Sequence, residues 1–439
     1  MAPRTAPLPV LWDAYEEHLD EAEFLWTQWE RMLVSADDRL QEVEESEERL
    51  FAHLDGLVLG GSRVVERLLV PALQEDVPAR SSAAAFALAS GGLPAAGEAL
   101  LSCLNEEAPV PLSAIQRAFE LIEREALPAW LPSLLDASSP ALRALAIDLL
   151  SNHREVPARL LSEGLSHESP RVVSATLRAM SRSRLLLDRA TLGRVLESTV
   201  PEVRDAAIVA GLVGGQRAAW SACLETLGAP EAKLSRLLVA MGADERELGR
   251  LLALLDAPKL REEVLWALGF SGQLAAADTC VALMEDEASA ALAAEAFCAI
   301  TGLRLDEGLA VERTEPPEEP VPLEEEDLDA TLEPSVEEAL PLPDAPAVAR
   351  WWREARPRFE VRQRYLRGRI LETDVLLKSL EREPMRRRHV LALEVMIRSR
   401  GAVQLPTRFF ARQQLEALRT LRAAPPLQLN RSITDGLTA

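Results

Sequence analysis

The chain has 439 residues, 70 of them acidic and 48 basic, a formal net charge of −22, and an aromatic content of 4%. That acidic balance disfavours tight nonspecific contact between the body of the protein and nucleic acid or an anionic membrane. Leu and Ala dominate, which favours helices because their side chains lose little freedom there. No run of about 18 apolar residues is available to cross a bilayer.

The N-terminus shows no basic stretch followed by an apolar one, so no signal peptide is expected. Cys103, Cys223, Cys280 and Cys298 form no CxxC pair. They read as small buried hydrophobes of a reducing compartment, and the cytoplasm is the expected location. Residues 13–33 place Leu19, Phe24, Leu25, Trp26, Trp29, Met32 and Leu33 at helical spacing. Residues 37–61 do the same with Leu40, Val43, Leu50, Leu54 and Leu57, then reach Gly60-Gly61. Two helices ending at that glycine pair are predicted, a hairpin suited to cap the open end of a repeat array.

A ladder of prolines follows, at Pro78, Pro111, Pro140, Pro170, Pro201, Pro230 and Pro258. The steps of about 30 residues lie in the range of helix-pair solenoids. "PALRALAIDLL", "PRVVSATLRAM", "PEVRDAAIVAG" and "PKLREEVLWALG" align, with Arg143, Arg204 and Arg261 three places after the proline. Proline is tolerated in the first helical turn, and the apolar spacing of three and four marks one buried face. Second amphipathic stretches lie between. The pattern resembles HEAT-like repeats, in the variant also found in phycobilisome-lyase-type proteins. A further repeat at 287–303 carries Ala288 in place of proline.

Residues 306–344 hold fifteen acidic side chains against the single basic Arg313, with dense prolines. This composition predicts a disordered insertion. The repeat pattern then returns at "PMRRRHVLALEVM". Residues 347–439 carry twenty basic and nine acidic side chains, a net +11. Within them, residues 347–370 interleave eight arginines with Trp351, Trp352, Phe359 and Tyr365. Three readings compete for that block. The aromatics form core with arginines reaching outward, they anchor a protein partner, or they stack bases beside phosphate-binding arginines. The adjacent acidic segment would compete with phosphate. It also suggests that residues 306–344 fold back and shield the basic end.

Signals of chemistry are weak. Of His18, His53, His153, His167 and His389, only His167 is followed by glutamate, too few pairs for the two-metal site of HEAT-repeat iron hydroxylases. No GxSxG elbow, P-loop or Rossmann fingerprint occurs. No cysteine or histidine is arranged for a tetrapyrrole. The array lacks the basic face expected of HEAT-like DNA glycosylases. No catalytic residue, metal or cofactor is assigned.

"EEHLDEAEFLWTQWERML", "ERLFAHLDGLVLGG", "AFCAITGLRL", "LPDAPAVARWW", "RQRYLRGRI" and "RRRHVLALEVM" together resemble a bacterial HEAT-repeat family associated with type VI secretion effector loci. The resemblance spans nearly the whole chain. It implies an adaptor or chaperone role around a secreted effector or spike, and it carries no catalytic residues. The family's G-x-RYL-x-G lacks its leading glycine here. Gly56 in "AHLDGL" and Gly302 in "AITGL" read as helix-end glycines.

The expected fold is all-α: an elongated right-handed HEAT-like helical-repeat solenoid with an N-terminal helical cap and a disordered acidic insertion. The segments are 1–61 (cap), 62–305 (repeats), 306–346 (acidic linker), 347–425 (basic helical segment) and 426–439 (tail). The expected function is a non-catalytic protein-binding scaffold. Trp351, Trp352, Arg353, Arg364, Tyr365, Arg367, Arg369, Trp26 and Trp29 are the candidate anchors. The alternatives are a nucleic-acid binder through residues 347–422 and an enzyme with a site in the solenoid groove. No membrane is expected as a partner.

Overall fold

The computed structural model describes residues 10–153, 156–306, 308–311 and 340–438. It is an all-α helical-repeat solenoid, with two short two-stranded ladders as its only sheet among the described residues. The centre of the expected acidic insertion, residues 312–339, lies outside the described residues, and so does its proposed fold-back. Two compact units divide the chain. The first comprises residues 1–34, 38–183 and 406–416; the second comprises 35–37, 184–405 and 417–439.

The first unit opens with α1 (Trp12–Met32) packed on α2 (Leu40–Leu59). Leu19, Ala22, Leu25, Trp26 and Trp29 recur three and four apart and are all buried. The helical spacing of the sequence therefore becomes one core-facing stripe. Gly56 does not end a helix. It sits inside α2, where an added Cβ would come within 2.8 Å of the His18 ring, so its role is the close approach of α1. Nor do Gly60 and Gly61 stop the chain. The helix continues as α3 (Gly61–Val64), a π-turn at Val65–Leu69 and α4 (Val70–Leu73).

The proline ladder begins with α5 (Pro78–Ser90) and α6 (Pro94–Ser102), followed by α7 (Pro109–Leu121) and a 3-10 turn at Leu131–Asp136. Next come α8 (Pro140–Asn152), α9 (Ala158–Gly164) and α10 (Pro170–Ser183). The proline-led helices pack in succession, α5 on α7, α7 on α8, and α8 on α10. They are buried on more than one face; in α5 every residue from Ser81 to Ala89 is buried. Alanine-rich stretches allow this, because small side chains let neighbouring helices approach. Asp148 of α8 accepts two hydrogen bonds from Arg178 of α10, at 2.9 and 2.5 Å, and one from Arg182 at 3.2 Å.

The second unit continues the ladder with α11 (Arg189–Leu196), α12 (Pro201–Gly214), α13 (Arg217–Thr226), α14 (Lys233–Gly242) and α15 (Glu245–Leu252). Then follow α16 (Pro258–Leu268), α17 (Leu274–Leu283) and α18 (Ala290–Thr301). Ion pairs mark the repeat register. Arg204 reaches Glu231 at 3.2 Å, Arg236 reaches Glu263, and Arg261 reaches Asp286 at 3.0 Å.

The ends of the acidic segment are tied together. β1 (Ala310–Val311) pairs antiparallel with β2 (Leu342–Pro343), and Leu340 is buried. The Asp344 carboxylate then caps α19 (Ala345–Ala355) by accepting from the Ala347 N–H at 2.9 Å. The expected linker boundaries, 306 and 346, therefore both fall inside ordered structure. β3 (Tyr365–Leu366) and β4 (Arg369–Ile370) form a hairpin, followed by α20 (Thr373–Arg382), α21 (Met385–Arg398) and α22 (Ala411–Ala423). Residues 427–438 are also placed, with Leu429, Ile433 and Leu437 buried. The expected tail at 426–439 is thus packed structure up to Thr438.

All four cysteines are buried free thiols, and burial pushes Cys280 and Cys298 up to about 12 and raises Cys223 as well. No helix among the described residues is long and apolar enough to cross a membrane.

Candidate functional site

The arginine-aromatic block is partly spent inside the second unit: Arg356, Arg364 and Arg367 are held there, while Arg350, Arg353, Arg358, Arg362 and Arg369 are exposed. Trp352 is 4% exposed, stacks edge-on against Phe297 at 5.2 Å between centroids, and donates its Nε1–H to Asp278 at 2.8 Å. Arg356 holds both oxygens of that carboxylate, donating from Nε to Oδ1 at 2.9 Å and from Nη2 to Oδ2 at 3.0 Å. Tyr365 is buried against Phe359, and its hydroxyl accepts from the Glu360 N–H at 2.7 Å.

Arg364, 6% exposed, places all its donors on groups of the same unit. Nε donates to the Ser271 carbonyl at 2.9 Å. Nη1 donates to Glu394 at 2.6 Å and to the Leu429 carbonyl at 2.8 Å. Nη2 donates to the Phe270 carbonyl at 3.0 Å and to Glu394 at 3.3 Å. A guanidinium has five N–H donors, so none is left for a phosphate.

A pattern joins these contacts. The last carbonyls of a helix have no partner within it and form the negative end of its dipole. In the second unit arginines from the basic segment meet them helix by helix. Arg400 donates to the Leu212 carbonyl in the last turn of α12 at 2.9 Å. Arg398 reaches the Met241 carbonyl at the end of α14 at 3.4 Å. Arg387 donates to the Gly269 carbonyl after α16 at 2.9 Å, and Arg364 serves the next two residues. At α18 the backbone takes over, with the Arg367 and Gly368 N–H groups donating to Ala299 and Ile300 at 2.7 and 2.9 Å. Burial lowers Arg398 to about 10, which leaves it charged at neutral pH.

The turn between β3 and β4 also explains the "AITGL" and "RYLRG" motifs. Arg367 and Gly368 both have positive φ, +52° and +74°, as a two-residue hairpin turn of this hand requires. Gly302, at φ +76°, faces that turn so closely that an added Cβ would lie 2.5 Å from the Arg367 carbonyl oxygen. A Cβ on Gly368 would lie 2.5 Å from the Thr301 oxygen. The two motifs are halves of one contact, and the missing leading glycine does not disturb the turn.

Most of the expected anchors are therefore not surface. Trp26 and Trp29 are 2% and 0% exposed in the first unit, while Trp352, Tyr365 and Arg364 are buried in the second. Trp351 is half-buried, and Arg367 is exposed although held by Glu383. Arg353 and Arg369 are exposed. The physical reason for Arg364 is the helix-end demand above, which composition alone does not show, while Trp26, Trp29, Trp352 and Tyr365 are buried as aromatic core.

The first unit holds a different feature. A cavity of about 490 Å³ is lined by Phe51, Phe86, Leu121, Ile122 and Phe410, with Ser90, Glu123, Ala126, Arg412 and Gln413 around it. The rings of Phe51 and Phe86 lie 4.7 and 5.5 Å from that of Phe410, making one aromatic wall. Beneath it, Glu47 accepts from Trp29 Nε1 at 2.8 Å and from the Ala411 N–H through both oxygens. Burial pushes the Glu47 carboxyl up to about 7. Sequence reasoning missed this site because its walls come from residues 51, 86 and 410, with no local spacing to betray them. It also missed the His18–His53 contact, Nδ1 to Nδ1 at 3.1 Å, which joins α1 to α2. His167 sits in the turn before Pro170, its Nδ1 accepting from the Ser169 N–H at 3.0 Å.

No family model and no curated protein matches the chain. Among solved structures, it is similar to YibA of E. coli at 15% identity and a TM-score of 0.30, over 67% of this chain and 97% of that one. A chain from the structure of Kap95p with RanGDP is similar at 10% identity and a TM-score of 0.30, over 88% of this chain and 57% of that one. Human deoxyhypusine hydroxylase, in complex with glycerol, is similar at 18% identity and a TM-score of 0.21, over 63% of this chain and 97% of that one.

Proposed function

We propose that this protein is a non-catalytic protein-binding scaffold. The observation that carries the reading is the exposure of large apolar side chains on the first helical hairpin. Leu11, Phe24 and Leu59 are 72%, 55% and 85% exposed. Covering such side chains with a partner gains the free energy of removing apolar surface from water. The fate of four arginines supports the same reading over a nucleic-acid role, since Arg364, Arg387, Arg398 and Arg400 serve carbonyls and carboxylates of their own unit. The partner class implied by the sequence resemblance is a secreted effector or spike component, and the protein would act as its adaptor or chaperone.

The test is recovery of partners from native extract by the wild-type chain and two variants. Phe24→Ser with Leu59→Ser is expected to lose most of the recovered protein. Arg353→Ala with Arg369→Ala is expected to retain it. Loss with the arginine pair alone would contradict the reading.

A further inference from the structure

The first hairpin carries an unpartnered helix face. α1 buries one side against α2 and α5. Along its opposite side run Asp13, Glu17, Asp20 and Phe24, four, three and four residues apart and all exposed. That spacing makes one stripe roughly 16 Å long, acidic at three positions and apolar at the fourth. α2 repeats the arrangement, with Glu45, Glu48, Asp55 and Leu59 exposed along one side and the apolar side chain again at the end.

Charge decides what can cover that face. Residues 12–59 hold fifteen acidic side chains against Arg31, Arg39 and Arg49, a net −12 and more than half of the chain's −22. Cations of the same unit claim part of it. Arg80 reaches Asp20 at 2.7 Å and Glu23 at 2.9 Å, and Arg117 reaches Glu30 at 2.7 Å. Glu17, Glu48 and Asp55 have no hydrogen bond or ion pair among the described residues. Asp13 and Glu17 stand one turn apart, as do Glu17 and Asp20, so the stripe carries like-charge repulsion. A basic partner turns that repulsion into attraction, and covering Phe24 removes apolar surface from water. A neutral partner does only the second, and an acidic one adds to the repulsion.

We infer that the outer face of α1 docks a basic amphipathic helix of the partner protein, with lysines or arginines along Asp13, Glu17 and Asp20 and an apolar side chain on Phe24. The inference rests on the scaffold reading and adds the chemistry of the partner. Charge steers the encounter and selects the partner, and the apolar anchor holds it. Salt is therefore expected to slow association more than it speeds release.

The test uses the full chain and three fluorescent peptides of about 18 residues, long enough to span the stripe as a helix. The first has leucines on one face flanked by lysines. In the second every lysine is glutamine, and in the third glutamate. The lysine peptide is expected to bind saturably, about tenfold more tightly than the glutamine peptide, with no binding of the glutamate peptide. Phe24→Ser, and separately Asp13→Asn with Glu17→Lys, are each expected to weaken the lysine peptide about tenfold or more. The charge variant relieves repulsion, so its melting temperature is expected not to fall, which separates a lost contact from a lost fold. Unchanged affinity for the lysine peptide in either folded variant would put its binding elsewhere on the acidic chain and overturn the inference. No saturable binding up to about millimolar concentration overturns it too. Equal binding of all three peptides, lost with Phe24→Ser, overturns the basic partner and leaves the scaffold reading standing. That reading fails on its own test in extract, whatever the peptides do.

Discussion

Glu47 shows how burial of one group reaches the whole unit's stability. It is 4% exposed, and desolvation raises its carboxyl to about 7 despite hydrogen bonds from Ala411 and Trp29 that favour the charged form. The folded state therefore holds a proton that the unfolded state releases near pH 4.5. The stabilising contribution is complete below the unfolded pKa and is lost as pH rises through about 7, a change of roughly 3 kcal/mol. Glu47→Gln is expected to remove this slope, so that the variant gains on wild type between pH 5 and 8 in urea unfolding. Parallel pH profiles would show that Glu47 does not titrate in that window.

Glu394 has the opposite character. It is 1% exposed and serves both Arg364 and Arg398. Removing it leaves two buried cations without their carboxylate. Glu394→Ala is expected to cost about 3–5 kcal/mol in the unfolding of the second unit. A loss below about 1 kcal/mol would mean that carbonyls alone satisfy those arginines. Two glycines allow a matched comparison. Gly61 and Gly368 both have positive φ, but a Cβ on Gly61 meets nothing within 4 Å. Gly368→Ala is therefore expected to destabilise more than Gly61→Ala, by at least about 1 kcal/mol.

At the scale of elements, the prolines were readable because their effect is local. Proline fits the first helical turn wherever it occurs, and Pro78, Pro140, Pro170, Pro201 and Pro258 each begin a helix. Pro111 falls two residues inside α7, and Pro230 falls three residues before α14, where local turns shift the start. The helix-end arginines were not readable. A sequence reports that Arg364, Arg387, Arg398 and Arg400 are charged, not that carbonyls at 212, 241 and 269–271 await them. The Gly302–Gly368 contact was hidden for the same reason, its halves standing 66 positions apart. The final segment is part of the same cap. Arg400 also donates to the Gly436 carbonyl, and Thr438 pairs with Gly215 and Gln216. Deleting residues 426–439 is expected to speed hydrogen exchange in the last turns of α12 and α14 by about tenfold or more. Unchanged protection there would show that the segment only lies on those helices.

At the scale of the molecule, the −22 net charge and the +11 of residues 347–439 pose the question that the structure reframes. A basic region in an acidic chain invites a polyanionic partner. Here its buried arginines answer the dipoles and orphan carbonyls of the repeat helices instead. The partner proposed above would meet the apolar surface of the first hairpin and not the exposed Arg353 and Arg369, and apolar contacts weaken little with salt, while phosphate contacts weaken steeply. The most direct measurement is affinity recovery from native extract at low and high salt, with and without nuclease, read by mass spectrometry. The account predicts a protein partner that survives high salt and nuclease and is lost with Phe24→Ser and Leu59→Ser. Nucleic acid recovered at low salt and released at high salt, with no protein retained, would contradict it.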